Sequence, residues 1–204
     1  MTDRAERDNQ GLARTVPLPR RCVPAPARGR TAALGDDLRM TEATAVRTYL
    51  QFVEHRLAAD GCATRLEQWH GTSVLVGRRA DFRLKWAATK LHLFTAVAAV
   101  PEVTVPAIES FTWQVLDYAR ANKGGLPVGL QTGLAAFPVL VSERVDSAAT
   151  AWAQEQQRNR FACFARPVVV DMSKGHVGFY RDTPTLGRVY ASHMLDKGTR
   201  YFQK

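Results

Sequence analysis

The chain has 204 residues, 46% apolar and 23% charged, which suits one folded domain with a real core plus an appendage. Its 28 Lys and Arg outnumber 19 Asp and Glu, a formal charge of +9 that attracts polyanions, acidic partners or anionic substrates without naming one. Cys22, Cys62 and Cys163 are far apart with no CxxC pair, which argues against a disulfide framework or a cysteine-rich zinc site and for reduced, cytoplasmic thiols. No apolar run approaches the ~20 residues of a membrane span, and the polar N-terminus has no secretory h-region.

Residues 1–39 interleave Pro17, Pro19, Pro24 and Pro26 with arginines and lack apolar periodicity, so they read as a disordered basic tail before a single domain at 40–197. Such an arm would serve as a solvated leader, or would touch nucleic acid or an acidic partner. A helix is expected from Thr41 to Gly61, capped by Thr41, with Val46, Tyr49, Leu50, Val53 and Leu57 on one stripe. Residues 64–69 and 72–79 read as a hairpin about His70-Gly71. Then comes the stretch GRRADFRLKWAATKLHLFTAVAAV (77–100). Phe82, Leu84 and Trp86 alternate with Asp81, Arg83 and Lys85, which predicts a strand with one apolar and one charged face. A second strand, deeper in the sheet, follows from Leu91.

Thr104 and Pro106 open a helix whose buried face is Ile108, Phe111, Val115 and Tyr118, stopped at Gly124-Gly125. Leu134 to Val141 reads as a strand, with Pro138 arguing for an edge or a bulge. Asp146 or Ser147 caps a third helix expected to reach about Phe161. A hairpin turned at Ser173-Lys174-Gly175, a short helix from Leu186 to Leu195 and a frayed end at 198–204 complete the chain. The order α-βββ-α-β-α-ββ-α predicts an α/β (α+β) domain with a mixed, mostly antiparallel sheet flanked by helices.

From Met40 onward, FRLKWAATKLHLFT (82–95), KGGLPVGLQTG (123–133), FPVLVSERVD (137–146) and LGRVYA (186–191) resemble an uncharacterised family of small actinobacterial proteins that often carry the label levansucrase. A true levansucrase needs paired carboxylates around a sugar pocket on a much longer propeller, and neither its motifs nor its repeated blades occur here. The order helix, three strands, helix, strand also resembles the PD-(D/E)XK nuclease-like core. That resemblance implies Asp81 as the first metal-holding acid, but the third strand, TKLHLFT, offers no Glu-x-Lys.

The strongest chemical signal is the basic set Arg78, Arg79, Arg83, Lys85 and Lys90, with Phe94 or Trp69 available to stack on a ring. From it come two functional expectations. The first is a non-catalytic binding protein that engages nucleic acid or another anionic partner through Arg79, Arg83, Lys85 and Lys90. The second is a small enzyme, a diverged nuclease or a catalyst on an anionic small molecule, using Asp81, Lys85 and His92. A chaperone or scaffold for a protein partner is a third. The same residues equally describe a solvated face on which Asp81 pairs with a neighbouring base. Scattered His55, His70, His92, His176 and His193 show no metal-ligand spacing, and neither a metal nor a cofactor is expected.

Overall fold

The computed structural model describes residues 30–86, 89–125, 132–160, 162–185 and 187–203, with side chains from Thr44 onward except that of Lys85. Helix α1 spans Arg30–Ala59. It begins eleven residues before Thr41, which therefore does not cap it; the stretch after Pro26 is rich in Ala, Leu, Arg and Met, all good helix formers, and extends the turn backward. Tyr49, Val53 and Leu57 form its buried stripe, as the spacing predicts. Residues 1–29 lie outside the described part.

Strands β1 (Ala63–Trp69) and β2 (Thr72–Phe82) form the expected hairpin, paired antiparallel from Trp69↔Thr72 to Ala63↔Arg78. His70 and Gly71 both take positive φ (49° and 83°), the conformation a two-residue hairpin turn requires. Strand β2 runs without a break to Phe82, so residues 82–86 are no separate strand. Leu84–Trp86 coils as a 3-10 turn and leads to β3 (Lys90–Ala99), antiparallel to β2.

Thr104 caps α2 (Val105–Asn122), accepting from the Ala107 N–H, and Pro106 stands in the first turn. Gly124 and Gly125, at φ 65° and 70°, turn the chain away after Lys123. The crossover through α2 sets β4 (Thr132–Ser142) parallel to β3 along its whole length. Every residue of β4 is buried, so it is central and not an edge. Pro138 is accommodated where the far side of β4 changes partner. Leu134–Ala136 pair with β6 (Cys163–Ala165) and Val139–Ser142 with β7 (Val168–Asp171), both parallel, so a missing N–H falls at the break between ladders.

Asp146 caps α3 (Ser147–Glu155) through the Ala148 N–H. The helix ends six residues short of Phe161, because Arg158–Arg160 leaves it to form β5 beside β6. Strand β8 (His176–Phe179) closes the second hairpin on β7. Arg188–Tyr190 is a 3-10 turn, and α4 spans Ala191–Phe202. Far from fraying, its last turn buries Tyr201 and Phe202 completely.

This is one mixed α/β domain with the predicted element order, four helices and an eight-stranded, mostly antiparallel open sheet. Two apolar layers cover the sheet. Helices α1 and α4 pack on the face carrying Leu75, Leu91, Leu93, Val97, Phe137 and Val139. Helices α2 and α3 pack on the other, with Val74, Val76, Phe94, Ala96, Leu134 and Ala136. Alternation along each strand therefore decides which layer a side chain meets. Gly77 lets α1 sit close: a Cβ there would stand 2.9 Å from Leu57 Cδ1. Among the described residues no helix is long and apolar enough to cross a membrane.

Candidate functional site: charges divided by the sheet

The expected basic face does not exist as one surface, because β2 and β3 send its members to opposite layers. On β2, Arg79 and Asp81 point to the α1/α4 side while Arg78 follows Val76 to the α2 side. On β3, Lys90 and His92 share the α2 side with Phe94. Arg79 and Lys90 are thus separated by the sheet, and so are Asp81 and His92. Arg83 lies in the turn, its guanidinium 5.3 Å from the Trp86 ring. The side chain of Lys85 lies outside the described set. Trp86 is buried whereas Phe82 and Leu84 are exposed, so the three do not share an apolar face.

On the α1/α4 side the charges neutralise one another. His193, Lys197 and Tyr201 occupy positions i, i+4 and i+8 of α4 and therefore form a row. His193 Nε2 donates to Asp81 (3.0 Å), and both Lys197 Nζ and the Tyr201 hydroxyl donate to Asp60. Arg79 joins the two carboxylates: its Nε lies 2.9 and 3.0 Å from the Asp81 oxygens and its Nη1 binds Asp60. Arg200 reaches Asp60 at 3.3 Å, and the Cys62 thiol lies 3.6 Å from the Tyr201 hydroxyl. Burial alone would raise the pKa of Asp81. The hydrogen bonds from His193 and Arg79 and the Arg79 charge outweigh it and bring the pKa down to about 2. Asp60 is likewise held below the usual carboxylate range, burial being outweighed by Lys197, Tyr201 and Arg79. This is the pairing of Asp81 with a neighbouring base that the sequence allows, strengthened by α4. It clamps the C-terminal helix to the β1–β2 hairpin.

The α2 side is different. His92 sits between Ala80 of β2 and Leu134 of β4, 6% exposed, and its Nδ1 has no hydrogen-bond partner among the described residues. Burial lowers its pKa first, and the charges of Lys90, Arg78 and Lys123 lower it further. No carboxylate is among these influences. Arg78 donates to the Lys123 carbonyl at the end of α2 (2.6 Å), and its guanidinium lies 5.6 Å from the Phe94 ring. In this group Arg78 and Lys90 are exposed, while Lys123 and His92 are buried. Beside it opens a cleft of about 210 Å³ lined by Thr64, Arg65, Arg78, Phe94, Tyr118 and Asn122.

Of the residues expected to bind an anion, Lys90 alone shares this side of the sheet with Arg78 and His92, both of which belong to the charged and titratable residues of that stretch. Lys123 was legible only as a helix end. The signal for it was the α2 stripe, which turns Lys123 back toward the sheet once the helix packs there. Trp69 packs on Tyr118 (4.6 Å between centroids) and Phe94 is buried, so neither offers an open stacking platform.

A further buried cation, unmarked in the sequence, is Arg166 after β6. It is wholly buried, and burial draws its pKa down to about 10. Its guanidinium reaches Gln157 Oε1 (3.4 Å) and the carbonyls of Tyr180 (3.4 Å) and Asp182 (3.5 Å), tying the segment after β8 to the sheet. Among the described residues no group of three or more His, Cys, Asp and Glu is placed to hold a metal ion.

Compared with protein-family models, with curated proteins and with solved structures, the chain matches none.

Proposed function

We propose that this chain is a binding protein for an anionic ligand, held by Arg78, Lys90, His92 and Lys123 on the α2 side of the sheet. One observation carries the reading: a buried histidine with an unpartnered nitrogen, under the influence of three cations and no acid. Cations gathered about a buried imidazole favour a ligand of the opposite charge. The overall charge of +9 favours the encounter.

The enzyme reading is weaker. Asp81 is engaged by Arg79 and His193 across the sheet from His92, which counts against an Asp81–His92 acid–base pair.

The test is a titration of the protein with inorganic phosphate and with a labelled single-stranded oligonucleotide at rising NaCl. At least one should bind, should weaken with salt, and should lose affinity in the Arg78→Gln/Lys90→Gln variant. No binding at low salt, or binding indifferent to salt, overturns the proposal.

A further inference from the structure

We infer that the outer edge of β1 pairs with the same edge of a second copy of this chain, antiparallel and about a two-fold axis at Leu66. None of the residues proposed to bind an anion takes part.

Strand β1 lies at one end of the sheet, and among the described residues no strand pairs with its outer side. The other ends are guarded. Strand β5 is three residues long and carries Arg158 and Arg160, and β8 is four residues long. Shortness and charge are two ways in which a sheet edge is kept from pairing with another chain. Strand β1 has neither defence. It runs for seven residues, all paired with β2 in one unbroken register without a bulge. It contains no proline and no lysine, and its two charges, Arg65 and Glu67, form an ion pair with each other.

The hairpin turn decides which backbone groups face outward. His70 and Gly71, both at positive φ, make the two-residue turn that bonds Trp69 to Thr72. Along an antiparallel strand, residues that bond to one neighbour alternate with residues that face away from it. Glu67 and Arg65 therefore bond toward β2, while Thr64, Leu66 and Gln68 turn their N–H and C=O groups to the open edge.

That edge is complementary to itself. An antiparallel copy centred on Leu66 sets Thr64 against Gln68, Leu66 against Leu66 and Gln68 against Thr64, so each outward group is bonded. Between these rungs, Arg65 of each copy faces Glu67 of the other. Sliding one copy by two residues either way opposes Arg65 to Arg65 or Glu67 to Glu67, and like charges directly opposite are destabilising. The centred register alone fills the ladder and matches the charges. A strand from an unrelated protein would not call for this self-matching, which is why the partner is a second copy.

The side chains suit the same arrangement. Leu66 shares the α1/α4 face with Leu75 and is 70% exposed; at the axis the two Leu66 side chains cover each other. On the α2 face Glu67 is held in place, accepting from the Tyr118 hydroxyl (2.7 Å) and from Trp69 Nε1 (2.8 Å). The Arg65 side chain is more than half exposed and free to bridge the glutamates of both copies. Exposed ion pairs add little affinity. Here they set the register, while the backbone bonds and the Leu66 contact hold the dimer.

Sedimentation velocity of the full chain over a concentration series tests this, and a reversible monomer–dimer equilibrium is expected. Leu66→Pro deletes an outward N–H and leaves the β1–β2 ladder intact, since proline is tolerated where an edge strand faces solvent. Two hydrogen bonds per dimer are lost, so association should weaken about tenfold or more. Arg65→Glu and Glu67→Lys should each be largely monomeric alone. Mixed, they should associate, because each then faces the opposite charge at both positions.

A native chain that stays monomeric at every concentration overturns the proposal. So does a dimer that Leu66→Pro leaves unchanged, or a mixture of the two charge variants that does not associate. Should Glu67→Lys not fold, amide hydrogen exchange of the native chain takes its place. Protection of Thr64, Leu66 and Gln68 that rises with concentration supports the dimer. Fast exchange throughout refutes it, and so does protection already complete in the monomer, which would mean that the chain covers this edge itself.

Discussion

Asp60→Asn is the most informative single change to the scaffold. The carboxylate is 9% exposed and serves four partners: Arg79, Lys197, Arg200 and the Tyr201 hydroxyl. The losses are unequal. Arg79 keeps Asp81, Arg200 is half exposed and regains water, and Tyr201 keeps its contact with Cys62. Lys197 has no such recourse, its side chain being 8% exposed against α1, β2 and the Tyr201 ring. Breaking one side of a buried ion pair costs ~3–5 kcal/mol, and the relief available to Arg79 and Arg200 places Asp60→Asn at the lower end, about 3 kcal/mol. Equilibrium unfolding in urea measures it, with the slope unchanged if the denatured state is unaffected. Adding Lys197→Met should recover about half of the loss or more, because a buried pair removed together and replaced by apolar volume is often nearly neutral. A loss below about 1 kcal/mol, or a double variant no more stable than the single, would refute the view that Asp60 holds α4 through Lys197.

Two further outcomes follow from the same clamp. Phe202→Ala removes a wholly buried ring and should cost ~3–5 kcal/mol in urea unfolding; a value near zero would mean that the last turn frays. The pKa of Asp81 near 2 lies below the unfolded value of about 3.9. Its contribution is therefore complete above about pH 5 and is lost as pH falls toward about 2. The difference in unfolding midpoint between the native chain and Asp81→Asn, measured against pH, should accordingly shrink across that acidic interval; a difference independent of pH would contradict the assignment.

What could be read from residues alone was local. The His70-Gly71 turn, the Thr104-Pro106 entry to α2 and the apolar run of β4 each carry their signal within a few positions, and each is present. The failures came where a distant partner decides. Residues 81–86 alternate well enough for a strand, yet β3 pairs with β2 only as far as Phe82↔Lys90, and the turn beyond it is set by Trp86 docking on His193 and Tyr190. Strands β5 and β6 are three residues each; β6 forms because β4 offers it a partner, and β5 because β6 does. The end of α4 was obscured by Gly198 and by the basic run around it, although Ala191, Met194, Tyr201 and Phe202 already kept helical spacing. For the candidate site, period-two alternation was available and should have divided Arg78 from Arg79. Reading 82–86 as a strand of its own shifts attention to the wrong register and hides that division.

Tyr49 of α1 donates from its hydroxyl to the carbonyl of Phe202, 153 positions later, at 3.0 Å. An entire layer of the core is thereby closed by a segment synthesised 153 positions after the helix it covers. A nascent chain stalled before α4 emerges leaves this side of the core incomplete, with a large loop still to be closed. On the ribosome, the hairpin and α2 can assemble early while the α1 side waits for α4. That interval is when this polypeptide is most exposed to aggregation, and when chaperone capture would do it most good.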